Sequence, residues 1–261
     1  MSEPLITTSE SLNYESRSAC PKHVAIIMDG NQRWAKSRHL PKALGHRAGA
    51  KNLKNIAKAC ANNGVEILTL FAFSTENWKR PREEVDLLIE LMKGVLINDI
   101  KELCENKVRL SIIGDRSRFS PDIQLLMKNA EYLTKDCAHL TLNIAVNFGG
   151  RWDIAQAAKQ MALDVVEGRL SVESVDEASF SSYLSMGQMP HPDLCIRTGG
   201  DHRISNFLLW DMAYTELYFT DEYWPQFTER RLLEAFEEYN MRKRNFGKDL
   251  LMRVQKCLVI I

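Results

Sequence analysis

Short runs rich in β-branched and other apolar residues alternate along this chain with longer segments of helical periodicity. The strand candidates are residues 23–28, 65–73, 108–114, 140–147, 192–197 and, less clearly marked, 214–219. The helical patterns lie near residues 43–63, 82–106, 120–136, 151–167, 176–185 and 228–245. Strands that alternate with helices are typical of parallel sheets. We therefore predict one α/β domain with a mainly parallel central sheet of about six strands flanked by helices.

The ends of the chain and its thiols bear on domain organisation and location. Residues 1–20 have no basic segment followed by an apolar one, so we interpret them as a flexible tail preceding a folded domain over residues 21–261. No apolar run approaches the ~20 residues that cross a bilayer, which predicts no membrane span. The six cysteines form no Cys-x-x-Cys pair, which favours reduced thiols in the cytoplasm.

Charge is balanced overall but unevenly distributed. The 34 Lys and Arg residues equal the 34 Asp and Glu residues, so the uniform basic field that non-specific nucleic-acid binding needs is absent. Yet from Gly30 to Val65 there is no acidic residue. The later lysines of this stretch have the spacing of a solvated helix face, whereas Arg33, Lys42 and His46 are candidates for anion contacts. The basic residues of the stretch are Arg33, Lys36, Arg38, Lys42, Arg47, Lys51, Lys54 and Lys58.

The first strand candidate ends in an acid, a turn and a base. In open α/β sheets ligands bind beyond the carboxyl ends of the strands. Asp29 stands there, followed by Gly30-Asn31 and then by Arg33 at the start of a helix. A carboxylate beside backbone N–H donors and a cation suits a magnesium-bound phosphate. The competing interpretation is an Asp-Gly turn with no further role.

Two later strand ends carry similar chemistry. Residues 73–81 combine hydroxyls, an acid, an amide, an indole and a guanidinium in one loop. In residues 193–206, Arg197 and Arg203 flank a Gly-Gly turn, which together offer a cradle for a diphosphate; the alternative is an ordinary surface loop. Glu216 lies within an aromatic strand candidate, where a buried carboxylate would need a partner or a metal.

The fingerprints of dinucleotide and P-loop nucleotide binding are missing.

Four blocks of the sequence resemble the signature motifs of cis-prenyltransferases. They are His23-Val-Ala-Ile-Ile-Met-Asp29-Gly-Asn-x-Arg33-Trp, Gly45-His46-Arg-Ala-Gly49, Phe73-Ser-Thr-Glu-Asn77-Trp-x-Arg80-Pro81, and Asp193-Leu-x-Ile-Arg197-Thr-Gly-Gly-x-His-Arg203-Ile-Ser205-Asn-Phe-x-Leu-Trp210. They occur in the expected order from about His23 to Gly247. Within that family, the chain resembles the bacterial undecaprenyl diphosphate synthase group.

The resemblance implies a homodimeric, Mg²⁺-dependent transferase. Such an enzyme condenses isopentenyl diphosphate repeatedly onto farnesyl diphosphate, forming cis double bonds, to give the undecaprenyl diphosphate from which the lipid carrier of cell-wall glycans is made. A transient membrane association for product release is also expected.

The resemblance further implies roles for individual residues. Asp29 and Asn77 would be catalytic: Asp29 assists departure of the allylic diphosphate, and Asn77 handles the proton that is lost. The metal would be held by Asp29, His202 and Glu216. The residues expected to contact substrate are Gly30, Asn31, Gln32, Arg33, Trp34, Lys42, His46, Ser74, Thr75, Glu76, Trp78, Arg80, Arg197, Arg203, Ile204 and Ser205. Gln32 replaces a Gly or Asn, and Lys42 an Arg, of many relatives.

A growing isoprenoid needs an apolar tunnel, and the segment 82–106 is its candidate wall. Apolar residues at helical spacing form one face, while Leu87 and Leu91 fall on the other. Such a helix either packs between two elements or lines a channel. Alternation along the second strand places Ala72, Leu70 and Leu68 on the side of Ser74. The tunnel is predicted to be lined by Ala72, Leu88 and Leu140.

Three alternatives remain open from the sequence. The chain could make a product of different length, it could be a non-catalytic subunit of the same fold, or it could be a nucleotide-binding α/β protein. The simultaneous presence of Asp29, Asn77, Arg197 and Arg203 argues against the non-catalytic subunit.

Overall fold

Six parallel strands form one sheet at the centre of the molecule. The computed structural model describes residues 20–187 and 189–242. The predicted tail up to residue 19, the end of the helix predicted over 228–245 and the rest of the predicted domain up to residue 261 lie outside the described residues. The sheet order is β3-β4-β2-β1-β5-β6, with every neighbouring pair parallel. The strands are β1 His23–Ile27, β2 Ile67–Ser74, β3 Val108–Ile113, β4 Leu140–Phe148, β5 Leu194–Arg197 and β6 Glu216–Phe219. The predicted fold class and all six strand candidates are confirmed.

The helices flank the sheet where the sequence predicts them, with three differences. The helix predicted over 176–185 is shorter and covers Glu177–Ser181. The predicted helix over 82–106 is broken at Asp99, whose carboxylate accepts a hydrogen bond from Lys54 Nζ (2.6 Å). A short helix over Asn31–Ser37 was not among the predicted segments. The helices are α1 Asn31–Ser37, α2 Lys42–Asn62, α3 Arg82–Asn98, α4 Ile100–Glu105, α5 Pro121–Thr134, α6 Gly150–Val166, α7 Glu177–Ser181 and α8 Glu229–Met241.

The two faces of the sheet bury different apolar clusters. In β1, Val24 and Ile26 point to one face and Ala25 and Ile27 to the other, as the period of a strand requires. The first face is covered by residues of α2, α3, α5 and α8, and the second largely by the segment 204–212. Every residue of β1 is buried, because both faces of the sheet are covered there, and this explains the continuous apolar run of the strand. Within the described residues, no helix has the length and apolar content to cross a bilayer.

A buried polar chain crosses the middle of the sheet. Asn143 Nδ2 donates to Thr69 Oγ1 (3.0 Å), so the Thr69 hydroxyl proton is available for His23 Nε2 (2.7 Å). His23 Nδ1–H then donates to the carbonyl of Pro190 (2.6 Å), which assigns the neutral tautomer. Burial lowers the pKa of His23 to about 4 and outweighs the hydrogen bond to Pro190.

We predict that His23 makes the fold less stable as the pH is lowered. Between pH 6.5 and about 4 the unfolded chain binds a proton on His23 that the folded chain does not, so stability is full above pH 6.5 and falls below it. From about pH 7 to about pH 5 this group should cost about 2 kcal/mol of the unfolding free energy. Urea unfolding of wild type and His23→Asn at both pH values measures it.

The exposed His139 provides the matched control, because His139→Asn also removes one imidazole. His139→Asn should keep the pH dependence of the wild type, whereas His23→Asn should lose about 2 kcal/mol of it. Identical pH dependence in wild type and His23→Asn would show that His23 titrates normally in the folded state.

Candidate active site

A cavity of about 900 Å³ opens at the carboxyl ends of β1, β2 and β5. Its mouth is polar and its depth is apolar, because the inner part runs between α3 and the sheet. The mouth residues are Asp29, Gly30, Asn31, Gln32, Arg33, His46, Ser74, Glu76, Asn77, Arg80, Arg197, Asp201, Arg203, Ser205 and Asn206. The deeper residues include Leu53, Ala72, Leu88, Ile89, Leu91, Met92, Val95, Leu96, Leu110, Ile112, Phe119, Ile144 and Val146.

The centre of the mouth is an ion pair between neighbouring strand ends. Arg197 ends β5 and donates from Nη2 to Asp29 Oδ2 (2.9 Å), just beyond β1. Its Nη1 donates to Ser205 Oγ (2.6 Å) and to the carbonyl of Arg203. The other Asp29 oxygen receives the Gly30 N–H (2.6 Å) and lies 3.0 Å from Arg33 Nη2. Asp29 is therefore held in one orientation by donors from three segments.

Asp201, which was not predicted as a site residue, shares these arginines. It lies 3.1 Å from Arg33 Nη2, 2.8 Å from Arg203 Nη1 and 3.6 Å from Arg197 Nη2. Burial raises the pKa of the Asp201 carboxyl, but the Arg203 hydrogen bond and the charges of Arg203 and Arg33 outweigh it. The pKa of Asp201 therefore lies below its usual value, and the group is ionised at neutral pH. In the sequence, only its position two residues before Arg203 could have indicated that Asp201 belongs to the site.

The loop that carries these groups has an unusual backbone. Gly199 has a φ of 91°, and a Cβ there would lie 2.9 Å from Arg33 Nη2 and 3.1 Å from the Asp29 carbonyl carbon. Ser205 and Asn206 also adopt left-handed conformations, with φ of 49° and 63°. Such strain at non-glycine residues persists only where the surroundings enforce it. Here the Arg197 hydrogen bond to Ser205 does so.

The loop after β2 connects the two sides of the mouth. Asn77 Oδ1 accepts the Ser74 N–H (3.1 Å), which orients the amide from within its own turn. Glu76 Oε1 accepts from Asn206 Nδ2 (3.0 Å) and Glu76 Oε2 from the Thr75 hydroxyl (3.0 Å). Burial alone would raise the pKa of the Glu76 carboxyl, but the hydrogen bonds that it accepts outweigh this effect. The pKa therefore lies below its usual value, and the group is ionised. The loop is thereby tied to the segment that holds Ser205.

Glu84, a second residue that sequence reasoning missed, ties α3 to the mouth. Its Oε1 accepts from Gln32 Nε2 (2.5 Å) and Arg80 Nη1 (2.7 Å) and lies 3.6 Å from His46 Nε2. Burial lowers the pKa of His46 and outweighs the charge of Glu84, so the imidazole is neutral at pH 7. Gln32, expected to contact substrate, therefore positions the first turn of α3 in this structure.

Several predicted site residues lie away from the mouth. Lys42 is exposed one helical turn from His46 and does not line the cavity, and Trp34 lies against Arg38. Trp78 donates to Asn147 Oδ1 (2.7 Å) and packs on Phe73. Thr75 and Ile204 are half-buried beside the mouth, outside the cavity lining.

The predicted tunnel residues are only partly brought together. Ala72 and Leu88 line the cavity. Leu140 does not, because it begins β4 at the opposite end of the sheet and is buried in the closed core. Leu68 and Leu70 are also enclosed in that core. The pairing of β2 is irregular from Phe71 to Ser74, so consecutive residues reach the cavity and simple alternation does not hold there.

The predicted metal ligands do not converge within this chain. Glu216 begins β6, whereas Arg197 pairs with Phe219, three residues later in the same strand. Glu216 therefore lies ~10 Å along the strand from the level of Arg197. It pairs with Arg242 Nη1 (2.8 Å), and His202 stacks on the ring of Phe219. Across residues 20–187 and 189–242, no three His, Cys, Asp or Glu side chains form a metal-binding group.

The remaining oxygen donors at the mouth nevertheless suit Mg²⁺. Asp29 and Asp201 are 30% and 28% exposed, and both face the same group of arginines. Mg²⁺ is commonly bound by one or two protein carboxylates together with substrate phosphates and waters. The carboxylates therefore fit an ion that enters with an anionic substrate, in place of a site built from protein ligands alone.

Comparisons with known proteins agree with this architecture. Residues 27–247 match the prenyltransferase family described as "Putative undecaprenyl diphosphate synthase". A ditrans,polycis-undecaprenyl-diphosphate synthase ((2E,6E)-farnesyl-diphosphate specific) of Pseudomonas putida is 52% identical over 231 residues, covering 88% of this chain and 92% of the relative. The enzyme of the same name from Aliivibrio fischeri is 46% identical over 242 residues, covering 93% and 94%.

Two solved structures have the same fold. Lavandulyl diphosphate synthase from Lavandula x intermedia, in complex with dimethylallyl diphosphate, has a TM-score of 0.85 and 39% identity, covering 88% of this chain and 99% of that one. A probable undecaprenyl diphosphate synthase from Campylobacter jejuni has a TM-score of 0.72 and 35% identity, covering 87% and 99%. The motifs, the parallel sheet and the match over residues 27–247 place this chain in the undecaprenyl diphosphate synthase family of cis-prenyltransferases.

Proposed function

We propose that this protein condenses isopentenyl diphosphate repeatedly onto farnesyl diphosphate with formation of cis double bonds, giving undecaprenyl diphosphate, the lipid-carrier precursor of cell-wall glycans. The observation that carries the proposal is one cavity with an arginine-rich mouth and an apolar depth. Its mouth offers cations to diphosphates and its depth offers apolar walls to a hydrocarbon chain. The names of relatives that are about 50% identical to this chain include farnesyl diphosphate and undecaprenyl diphosphate, which supports the same allylic substrate and product here.

Two diphosphates require two groups of donors, and the mouth supplies both. Residues after β1, together with His46 and Arg80, would bind the allylic diphosphate. Arg197, Arg203 and Ser205, after β5, would bind isopentenyl diphosphate. Guanidinium groups suit these anions because they donate two parallel hydrogen bonds. Asp29 lies between the two groups of residues, where the reacting carbons would meet.

The bond changes explain the residues at the centre. The allylic C–O bond breaks with its electrons leaving on the diphosphate, the isopentenyl double bond forms the new C–C bond, and one proton passes from the isopentenyl unit to an oxygen of the released diphosphate. Mg²⁺, when bound at Asp29 and Asp201, would offset the negative charge that develops on the leaving oxygen. Arg33 and Arg197 hold the Asp29 carboxylate in place for this step. Asn77, on the opposite rim, is the candidate for handling the proton.

A different product length is the second candidate function. The same fold occurs in a lavandulyl diphosphate synthase, so the architecture alone does not determine the product. A non-catalytic subunit is a weaker candidate, because Asp29, Asn77, Arg197 and Arg203 all lie at one cavity mouth. We further infer a homodimer located in the cytoplasm, with a transient membrane association when the apolar product is released.

The first prediction from the proposed function concerns Asp29. Wild type with farnesyl diphosphate, isopentenyl diphosphate and Mg²⁺ should yield long prenyl diphosphates, measured by chromatography of the products. Asp29→Ala should lower turnover at least ~100-fold, because it removes a carboxylate that holds the metal and two arginines. Asp136→Ala, which removes an exposed acid elsewhere, is the matched control. Near-normal turnover in folded Asp29→Ala would exclude this residue from the mechanism, and no product from wild type would refute the proposed function.

The second prediction separates the two diphosphate sites. Arg203→Ala should weaken isopentenyl diphosphate roughly ten- to hundredfold and farnesyl diphosphate much less, since a charge-assisted hydrogen bond is lost on one side only. Arg80→Ala should show the reverse preference. Separate titrations of the two substrates with each variant measure this. Equal losses for both substrates in either variant would contradict the assignment of two sites.

The third prediction concerns chain length. Ala72 is a small residue on the cavity wall, so Ala72→Leu should obstruct elongation and accumulate shorter products while the first condensation stays comparatively fast. Overpacking can cost ~1–3 kcal/mol, so thermal unfolding is measured alongside the products. Leu140→Met, in the closed core, is the control and should leave the product length unchanged. A stable Ala72→Leu enzyme with wild-type products would show that this wall does not contact the growing chain.

A further inference from the structure

Helix α2 presents two different faces. Its inner side lines the cavity with His46, Gly49, Ala50 and Leu53. Its outer side is exposed and carries residues spaced three, four or seven positions apart, so that they form one stripe. The stripe, here called the α2 outer face, consists of Leu44, Arg47, Lys51, Asn55 and Lys58. At 1.5 Å per residue, the helix is ~30 Å long.

The cations of this face have no carboxylate partners among the described residues. Within α2, the lysine that forms ion pairs is Lys54. Its Nζ lies 2.6 Å from Asp99 Oδ1 and 3.1 Å from Glu102 Oε2. Arg47, Lys51 and Lys58 form no ion pair in the part of the chain that the structure describes. The stretch from Gly30 to Val65 contains no acid that could neutralise them locally. In a protein with zero net charge, this concentrates positive potential on one surface.

Apolar side chains stand beside these cations at the end of α2 nearest the cavity mouth. Leu40 is 38% exposed and Leu44 is 39% exposed. Three further exposed side chains of basic residue types precede α2: Lys36 in the last turn of α1, and Arg38 and His39 in the turn that follows it. Apolar residues flanked by lysine and arginine are the combination that binds the interface of an anionic bilayer, where cations contact head groups and apolar groups insert.

We propose that the α2 outer face and the turn before it bind the surface of a bilayer that contains anionic lipids. Nucleic acid fits less well, because the two leucines would gain nothing from a phosphate backbone and the chain as a whole is neutral. The inner side of the same helix lines the cavity. An apolar product that leaves the mouth would therefore emerge next to lipid; the proposal rests on the proposed function, whose transient membrane association it assigns to one surface of the protein.

The test measures partition of the whole protein into vesicles without substrate. Vesicles of phosphatidylcholine with about 30% phosphatidylglycerol should bind wild type, and pure phosphatidylcholine should bind it at least tenfold more weakly. Each neutralised cation should lower the partition coefficient roughly fivefold. The combined variant Arg47→Gln, Lys51→Gln, Lys58→Gln should therefore lose roughly 100-fold. Leu40→Ser with Leu44→Ser should also lose several-fold at unchanged net charge.

Matched variants lie on other helices. Lys101→Gln, Lys128→Gln, Lys159→Gln removes the same charge from α4, α5 and α6, and Leu125→Ser with Leu133→Ser removes two exposed leucines from α5. Both should bind vesicles like wild type. Equal losses in the control and test variants, or no binding of wild type to anionic vesicles, would overturn the proposal. Single-stranded RNA bound as tightly as the vesicles, with vesicle binding insensitive to the leucine changes, would also overturn it.

Prenyl transfer by the same variants in detergent tests the proposed function separately. Because the vesicles contain no substrate, failure of vesicle binding and failure of catalysis are distinguishable. None of the residues changed here lies in the cavity lining.

Discussion

The ion pair of Arg197 with Asp29 holds the mouth of the cavity together. The Arg197 side chain is only 5% exposed, and a buried guanidinium is costly unless its N–H groups find acceptors. Asp29, Ser205 and the Arg203 carbonyl accept from its two terminal nitrogens, whereas its buried Nε has no hydrogen-bond partner among the described residues. Since these acceptors come from the end of β1 and from the loop after β5, one side chain fixes the relative position of the two proposed diphosphate sites.

The cavity itself is a departure from ordinary packing. Protein cores are filled to crystal density, and apolar side chains usually meet others across them. Here α3 is bound at its first turn through Glu84, while Leu88, Ile89 and Met92 further along face open space and stay partly exposed. The missing contacts cost stability in the free protein. A hydrocarbon chain bound there would restore them, which is the physical basis for an isoprenoid ligand.

Helix α2 links this interior to the surface. Close packing on α1 holds it in place, because a Cβ at Gly45 would lie 2.1 Å from the carbonyl oxygen of Asn31. Its inner side chains then have a fixed position at the cavity, and its basic side chains are left to face solvent. No acidic residue lies between Gly30 and Val65. No carboxylate of this stretch therefore competes with a diphosphate for the cations at the cavity, or with lipid head groups for the cations of the α2 outer face.

The sequence by itself determined the fold class, the order of the strands and helices along the chain, and most residues of the cavity mouth. Periodicity is local, and the carboxyl ends of parallel strands meet at one edge of the sheet, so Asp29, Asn77, Arg197 and Arg203 could be grouped in advance. Their partners could not. Asp201 and Glu84 acquire their roles from loops that meet only in the folded chain. The distance of Glu216 from the mouth, and of Leu140 from the cavity, follows from strand register, and irregular pairing decides that Ala72 reaches the cavity while Leu70 does not. Register and pairing are set by packing between distant segments, which local sequence patterns do not encode.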